Sequence, residues 1–233
     1  MIIAAFDAEE PPYFLTGQMG SSYFTQHASE IGVPLDEIDL MVCMDLVGHA
    51  LGPEGLPDDV RGSIFALGAE RSEGTGAIVD ELARSEAGLV VRRADAEIIP
   101  PLSDYDAFWK REVPFLFLTA GRSVRYHTPE DTPEHLDWPK IERTARWLER
   151  FVRKSCARDE TRVRFLEDAR DDASTLRSFI DLVAPLEALS PLAKSALERA
   201  RDLLAHCDRD GRLPDVHAGE PSALLLALEN ALA

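Results

Sequence analysis

The chain is 233 residues long and carries 42 acidic against 25 basic side chains, a formal net charge of −17. Such a surplus excludes nonspecific binding to nucleic acid or to an anionic membrane surface, and no apolar run approaches the roughly eighteen residues that a spanning helix needs. Cys43, Cys156 and Cys207 are odd in number, widely spaced and free of any CxxC pair, so neither a disulfide framework nor a thiolate zinc site is expected.

Met1–Phe6 is an apolar run that reads as a buried strand, and Asp7 to Pro12 closes it with a polar turn. Two adjacent carboxylates, Glu9 and Glu10, sit on that tip. Gly20-Ser21-Ser22 opens a helix that Ser21 or Ser22 could cap and Gly32 ends. Ile38 to Met44 is a second buried strand with Asp45 at its tip. Leu51 to Arg61 is a surface loop, Ser63 to Leu67 a short strand, Gly74 to Ser85 a helix, and Gly88 to Arg92 another strand. Ser103 to Trp109 reads as a cap and the first turns of a helix. Val113 to Thr119 is a further strand, and the polar loop after it holds Tyr126-His127-Thr128-Pro129. Trp138 to Arg153 is amphipathic, with Ile141, Ala145, Leu148 and Val152 on its apolar side.

From about Ala157 the strand patterns stop. Arg162–Leu189, Pro191–His206 and Pro221–Leu232 read as helices, and Asp208 to Gly211 as an ordinary turn rather than a calcium loop. The expected architecture is α/β, a mixed, mostly parallel sheet flanked by helices over residues 1–156, with a helical extension over 157–233. The opening residues lack the basic and long apolar regions of a signal peptide, so a soluble chain is expected, cytoplasmic if Met1 is the native start.

Acids or histidine follow three of the expected strands: Glu9 and Glu10, Asp45, and His127. Tips at one edge of a mostly parallel sheet converge, and that is where such folds bind ligands. Carboxylates with a histidine suit zinc. Each residue taken singly has a plainer explanation: a solvated acidic turn, a turn residue, a loop histidine. Their joint occurrence at three tips favours a site.

Four stretches in order carry a resemblance: Phe6 to Phe14 with Met19-Gly20-Ser21; Met44-Asp45-Leu46-Val47-Gly48; Ser103 to Phe108; and Pro114 to Leu118 running through Tyr126 to Glu134. Together they resemble the co-catalytic zinc exopeptidases, which include leucyl-type aminopeptidases, glutamate carboxypeptidases and, as a cousin, glutaminyl cyclase. The resemblance covers Met1 to Val152. It implies that Glu9 is the general base, that Glu10 and His127 bind one of two zinc ions and Asp45 the other, and that Asp104 supports a metal ligand or contacts the reacting centre. Tyr126 is a candidate for oxyanion stabilisation, and His49 lies close enough in sequence to keep in view. The family also uses a His-x-Asp segment and a bridging Asp before the Glu-Glu pair. This sequence has neither, so it is expected to represent the C-terminal part of the catalytic domain and to be short of zinc ligands. Tyr105 stands where many relatives have histidine.

The expected activity is metal-dependent exopeptidase hydrolysis, aminopeptidase-like, of a peptide or amino-acyl substrate. A noncatalytic binding or scaffold descendant and a glutaminyl cyclase-like acyl transferase are the alternatives. The apolar Met1–Phe6 strand, without earlier strands beside it, is expected to promote self-association.

Overall fold

A computed structural model describes residues 1–158, 162–188 and 191–232. Four strands, β1 (Met41–Met44), β2 (Ser63–Leu67), β3 (Val90–Ala94) and β4 (Phe115–Thr119), form one sheet in the order β1-β4-β2-β3. β1 runs parallel to β4 and β2 parallel to β3, whereas β2 and β4 are antiparallel. The C-terminal tips of β1 and β4 therefore share one end of the sheet, and those of β2 and β3 share the other.

Both sheet faces are covered, which is why the central strands are apolar throughout rather than alternating with polar residues. In β4, Leu116 and Leu118 point to one core with Ile64, Ala66 and Val91, while Phe115 and Phe117 point to another with Cys43, Leu67 and Ala94. The first core is closed by α3 (Thr75–Leu82) and α5 (Trp138–Cys156). The second contains Tyr105, fully buried at the start of α4 (Tyr105–Trp109), whose ring stacks on Phe117 at 4.4 Å. The departure at Tyr105 is thus a packing substitution. Gly68 follows β2 at φ +85°, and a Cβ there would lie 2.3 Å from the Phe115 ring, so only glycine suits this turn.

Three helices complete the chain: α6 (Asp172–Val183), α7 (Pro191–His206) and α8 (Glu220–Leu232). Leu176, Phe179, Leu182, Leu197, Leu203 and Leu228 form a third core with Val60. α6 also rests on β3, where Ser178 Oγ donates to the Arg93 carbonyl at 2.7 Å. The expected helix over Arg162–Leu189 is shorter than anticipated at its start, and Leu189 lies outside the described residues. Before α6 the backbone is used elsewhere: Leu166 N–H donates to the Arg71 carbonyl, Glu73 N–H donates to the Arg164 carbonyl, and Phe165 bridges Ser72.

The expected opening strand is absent. Met1–Phe6 has no ladder partner, and Met1, Ile2 and Ile3 are 93%, 62% and 86% exposed. An apolar run supplies side chains for a core, but a strand also needs neighbouring backbone to bond, and none lies beside this segment. Phe6 is the exception, packing on Phe24 and Phe108 at 5.5 and 6.0 Å.

Glu70, just beyond β2, has a side chain only 6% exposed and accepts from Ala96 N–H at 2.9 Å. Burial, reinforced by nearby Asp95, pushes its carboxyl from 4.5 up to about 8. The folded form therefore holds a proton that the unfolded chain has released, and this contribution to stability, full below about pH 4.5, is lost as pH rises through about 8. Glu70→Gln keeps the acceptor and removes the titration. Its melting temperature is expected to gain on the wild type as pH rises from 5 to 8.5; parallel pH–Tm curves for the two proteins would contradict this.

Candidate active site

Around the β1 and β4 tips the backbone fixes the acids. Asp45 N–H donates to the Leu118 carbonyl at 3.1 Å, continuing the ladder one residue past β1, and Ala120 N–H returns to the Leu46 carbonyl at 3.1 Å. On the other side, Gly20 N–H donates to the Asp7 carbonyl at 2.9 Å, tying the start of α1 (Gly20–His27) to the segment that carries Glu9 and Glu10. A Cβ on Gly20 would sit 2.7 Å from both Asp7 N and Asp7 O. Gly20→Ala is therefore expected to cost about 1–3 kcal/mol through displacement of this segment, read as a fall in denaturation midpoint. The expected serine cap is not formed: Met19 occupies the cap position of α1 without a side-chain bond.

His127 Nε2 lies 3.1 Å from Glu10 Oε1, joining residues 117 apart in sequence. The His127 ring stacks on Tyr126 at 3.8 Å. Asp45 stands with these residues electrostatically: Asp45, Glu10 and Asp104 raise Glu9, Glu10 raises Asp45, and His127 opposes both shifts. Burial is the first cause at Glu9, followed by Asp45, Glu10 and Asp104, and together they move its carboxyl from 4.5 up to about 7. Burial also raises Asp45, against the Ser103 hydroxyl and Leu46 N–H that favour its charged form. It raises Asp104 as well, with Ser21 acting against it. Ser21 Oγ and Asp104 Oδ1 are nevertheless two buried polar atoms with no hydrogen bond among the described residues. The Tyr126 hydroxyl is raised by burial and then by Glu10, Asp45 and Glu9.

Ser21 and Ser103 are the site's neighbours that sequence reading passed over, since a serine beside an acid has no spacing signature. A second unread feature is backbone conformation. Ala8, Leu46 and His127 adopt positive φ of 55°, 55° and 58°, so each of the three converging segments contains a non-glycine residue in a disfavoured region. His49 does not join the site. Its Nε2 is buried without a hydrogen bond among the described residues, its carbonyl accepts from Lys140 Nζ at 2.7 Å, and burial followed by Lys140 lowers its ring to about 4.

Glu10, Asp45 and His127 suit zinc by donor type. Among the described residues, however, no three His, Cys, Asp or Glu side chains are grouped to hold a metal ion. A catalytic zinc takes three protein ligands and an open position; the Glu10–His127 contact brings two donors of suitable type together.

The model of peptidase family M28 matches residues 1–152. The chain belongs to this family. This M28 chain is 24% identical over 156 residues to the uncharacterized protein YfbL of Escherichia coli (strain K12), covering 60% of the chain and 46% of that protein. It thus spans less than half the length of this curated relative. Among solved structures, LapB from Legionella pneumophila aligns with a TM-score of 0.49 at 17% identity, over 66% of this chain and 39% of that one. An aminopeptidase from Aneurinibacillus sp. strain AM-1 aligns with 0.47 at 20%, over 70% and 33%. Among the described residues no helix of the M28 chain is long and apolar enough to cross a membrane.

Proposed function

We propose that the chain carries the general base and part of the metal-ligand set of an aminopeptidase-like exopeptidase. Membership of a peptidase family supports the reaction class. The observation that carries the assignment of residues is the convergence of Glu9, Glu10, Asp45, Asp104 and His127 at one end of the sheet. In this reading Glu9 takes a proton from the attacking water and delivers it to the leaving amine, a task suited to a carboxyl held near neutrality. In the same reading Glu10, His127 and Asp45 are the donors the chain offers to zinc. Tyr126, beside His127, faces the same space and is the proposed oxyanion donor.

The test is hydrolysis of an unblocked peptide by the protein as purified, after chelation, and after zinc is restored. Activity is expected to vanish on chelation and return with zinc; activity that survives chelation would refute metal dependence. The lack of a third grouped donor among the described residues favours one competing reading, a noncatalytic descendant of the fold. That reading expects no hydrolysis under any metal regime. The exposed Met1–Ala5 segment is in turn the proposed contact for self-association, and a sedimentation profile of monomer alone at high concentration would rule that out.

A further inference from the structure

The two parallel strand pairs face opposite ends of the sheet, so the tips of β2 and β3 create a second crevice remote from the Glu9 site. α6 and the turn after α7 close over it. The result is a cleft of about 520 Å³, within the size range of small-molecule sites. Five guanidinium-bearing residues line it: Arg93, Arg170, Arg177, Arg209 and Arg212.

The acids around them are not shared evenly among these arginines. Asp171 is held by Arg93 at 2.7 Å. Arg170 turns to Asp172, at 3.0 Å. Asp208 is occupied in its own turn, where Oδ1 accepts from Asp210 N–H at 2.9 Å and Arg212 N–H at 3.0 Å. Gly211, at φ +84°, lets that turn close. Glu70 at the cleft floor stays protonated at neutral pH and presents no charge. With Asp80, 2.8 Å from Arg93 Nε, and Asp172 counted beside Asp171, Asp208 and Asp210, five carboxylates stand around five arginines, but unevenly, because Arg93 holds two of them. Among the described residues, Arg177 and Arg209 have no carboxylate partner. In a chain of net charge −17, two guanidinium groups on one cleft without a carboxylate partner are not what a solvated surface would produce on average.

We propose that this cleft is a binding site for a small molecule bearing oxyanion groups, held by the forks of Arg177 and Arg209. Guanidinium presents paired N–H donors that match phosphate and carboxylate oxygens, and such charge-assisted bonds are roughly twice as strong as neutral ones. The ligand carries at least two negative charges, one for each of these two guanidinium groups.

The experiment is calorimetric titration of the metal-free protein with pyrophosphate and, separately, with citrate, at constant ionic strength set by NaCl. Saturable binding of either is expected, and the tighter of the two identifies phosphate or carboxylate as the preferred group. Arg177→Gln/Arg209→Gln is expected to weaken it about tenfold or more. Arg177→Lys/Arg209→Lys, which retains charge but not the fork, is expected to fall between, and shows that any loss is not misfolding. Glu10→Gln, at the opposite end of the sheet, is expected to bind as the wild type does. Heats indistinguishable from added NaCl, or affinity unchanged by the double Gln substitution, would overturn the proposal. Because the readout is binding to metal-free protein, its failure leaves the peptidase assignment untouched.

Discussion

Glu9→Gln is expected to lower peptide hydrolysis by about 10²–10⁴-fold while leaving zinc binding and thermal stability close to those of the wild type. The substitution keeps the shape of the side chain and its hydrogen-bonding oxygen but removes the site that accepts the proton. The neighbouring Glu10, whose carboxylate contacts His127, is untouched. A base that moves a proton is thereby separated from a residue that holds a metal. The comparison is made on whatever length of the protein shows activity, with zinc content measured on the same samples. Retained activity in this variant would remove Glu9 from the mechanism. Loss of zinc together with activity would instead make Glu9 a ligand.

The second large effect is structural. Trp147→Ala is expected to destabilise the fold by about 3–5 kcal/mol. Trp147 is 1% exposed, stacks on Phe151 at 5.2 Å, and its indole N–H donates to the Leu82 carbonyl at 3.0 Å. It is therefore the bolt between α5, α3 and the sheet. Truncation leaves a large cavity and removes the indole's hydrogen bond to the Leu82 carbonyl, which keeps only the one from Ser85 N–H at 2.9 Å. A chemical denaturation midpoint measured for both proteins checks this, and a difference below about 1 kcal/mol would contradict it.

Trp147 also marks what hydropathy alone does not select. Of Ile141, Ala145, Leu148 and Val152, the expected apolar side of α5, Leu148 and Val152 pack half-buried against the core, while the fully buried positions are Lys140, Thr144, Trp147 and Phe151. Two of those four look polar because their partners are distant or invisible in sequence. Lys140 Nζ is satisfied by geometry, donating to the carbonyls of His49 and Arg61 at 2.7 and 3.3 Å, and burial lowers it to about 7. Thr144 Oγ1 returns its hydrogen bond to the carbonyl of Lys140 within the same helix.

Elements set by local pattern were legible. β2 spans Ser63–Leu67 and α7 spans Pro191–His206, as the residues suggest. Elements set by a partner were not. Met1–Phe6 has the composition of a strand and no ladder, and β1 keeps Met41–Met44 of a longer apolar run because pairing with β4 begins at Phe115. The same division applies to the site. Its residue types and the shared end of β1 and β4 could be read in advance, whereas the pairing of Glu10 with His127 is implied by resemblance alone. The direct contact and the three left-handed residues depend on coordinates.

The most direct test of the central claim is the identity of the product. The protein, zinc-loaded, is incubated with an unblocked pentapeptide and with its N-acetylated form, and both are followed by mass spectrometry. The account predicts stepwise release of single residues from the N-terminus of the free peptide and none from the blocked one. Internal cleavage, a cyclised N-terminus with loss of water or ammonia, or an unchanged free peptide would contradict it.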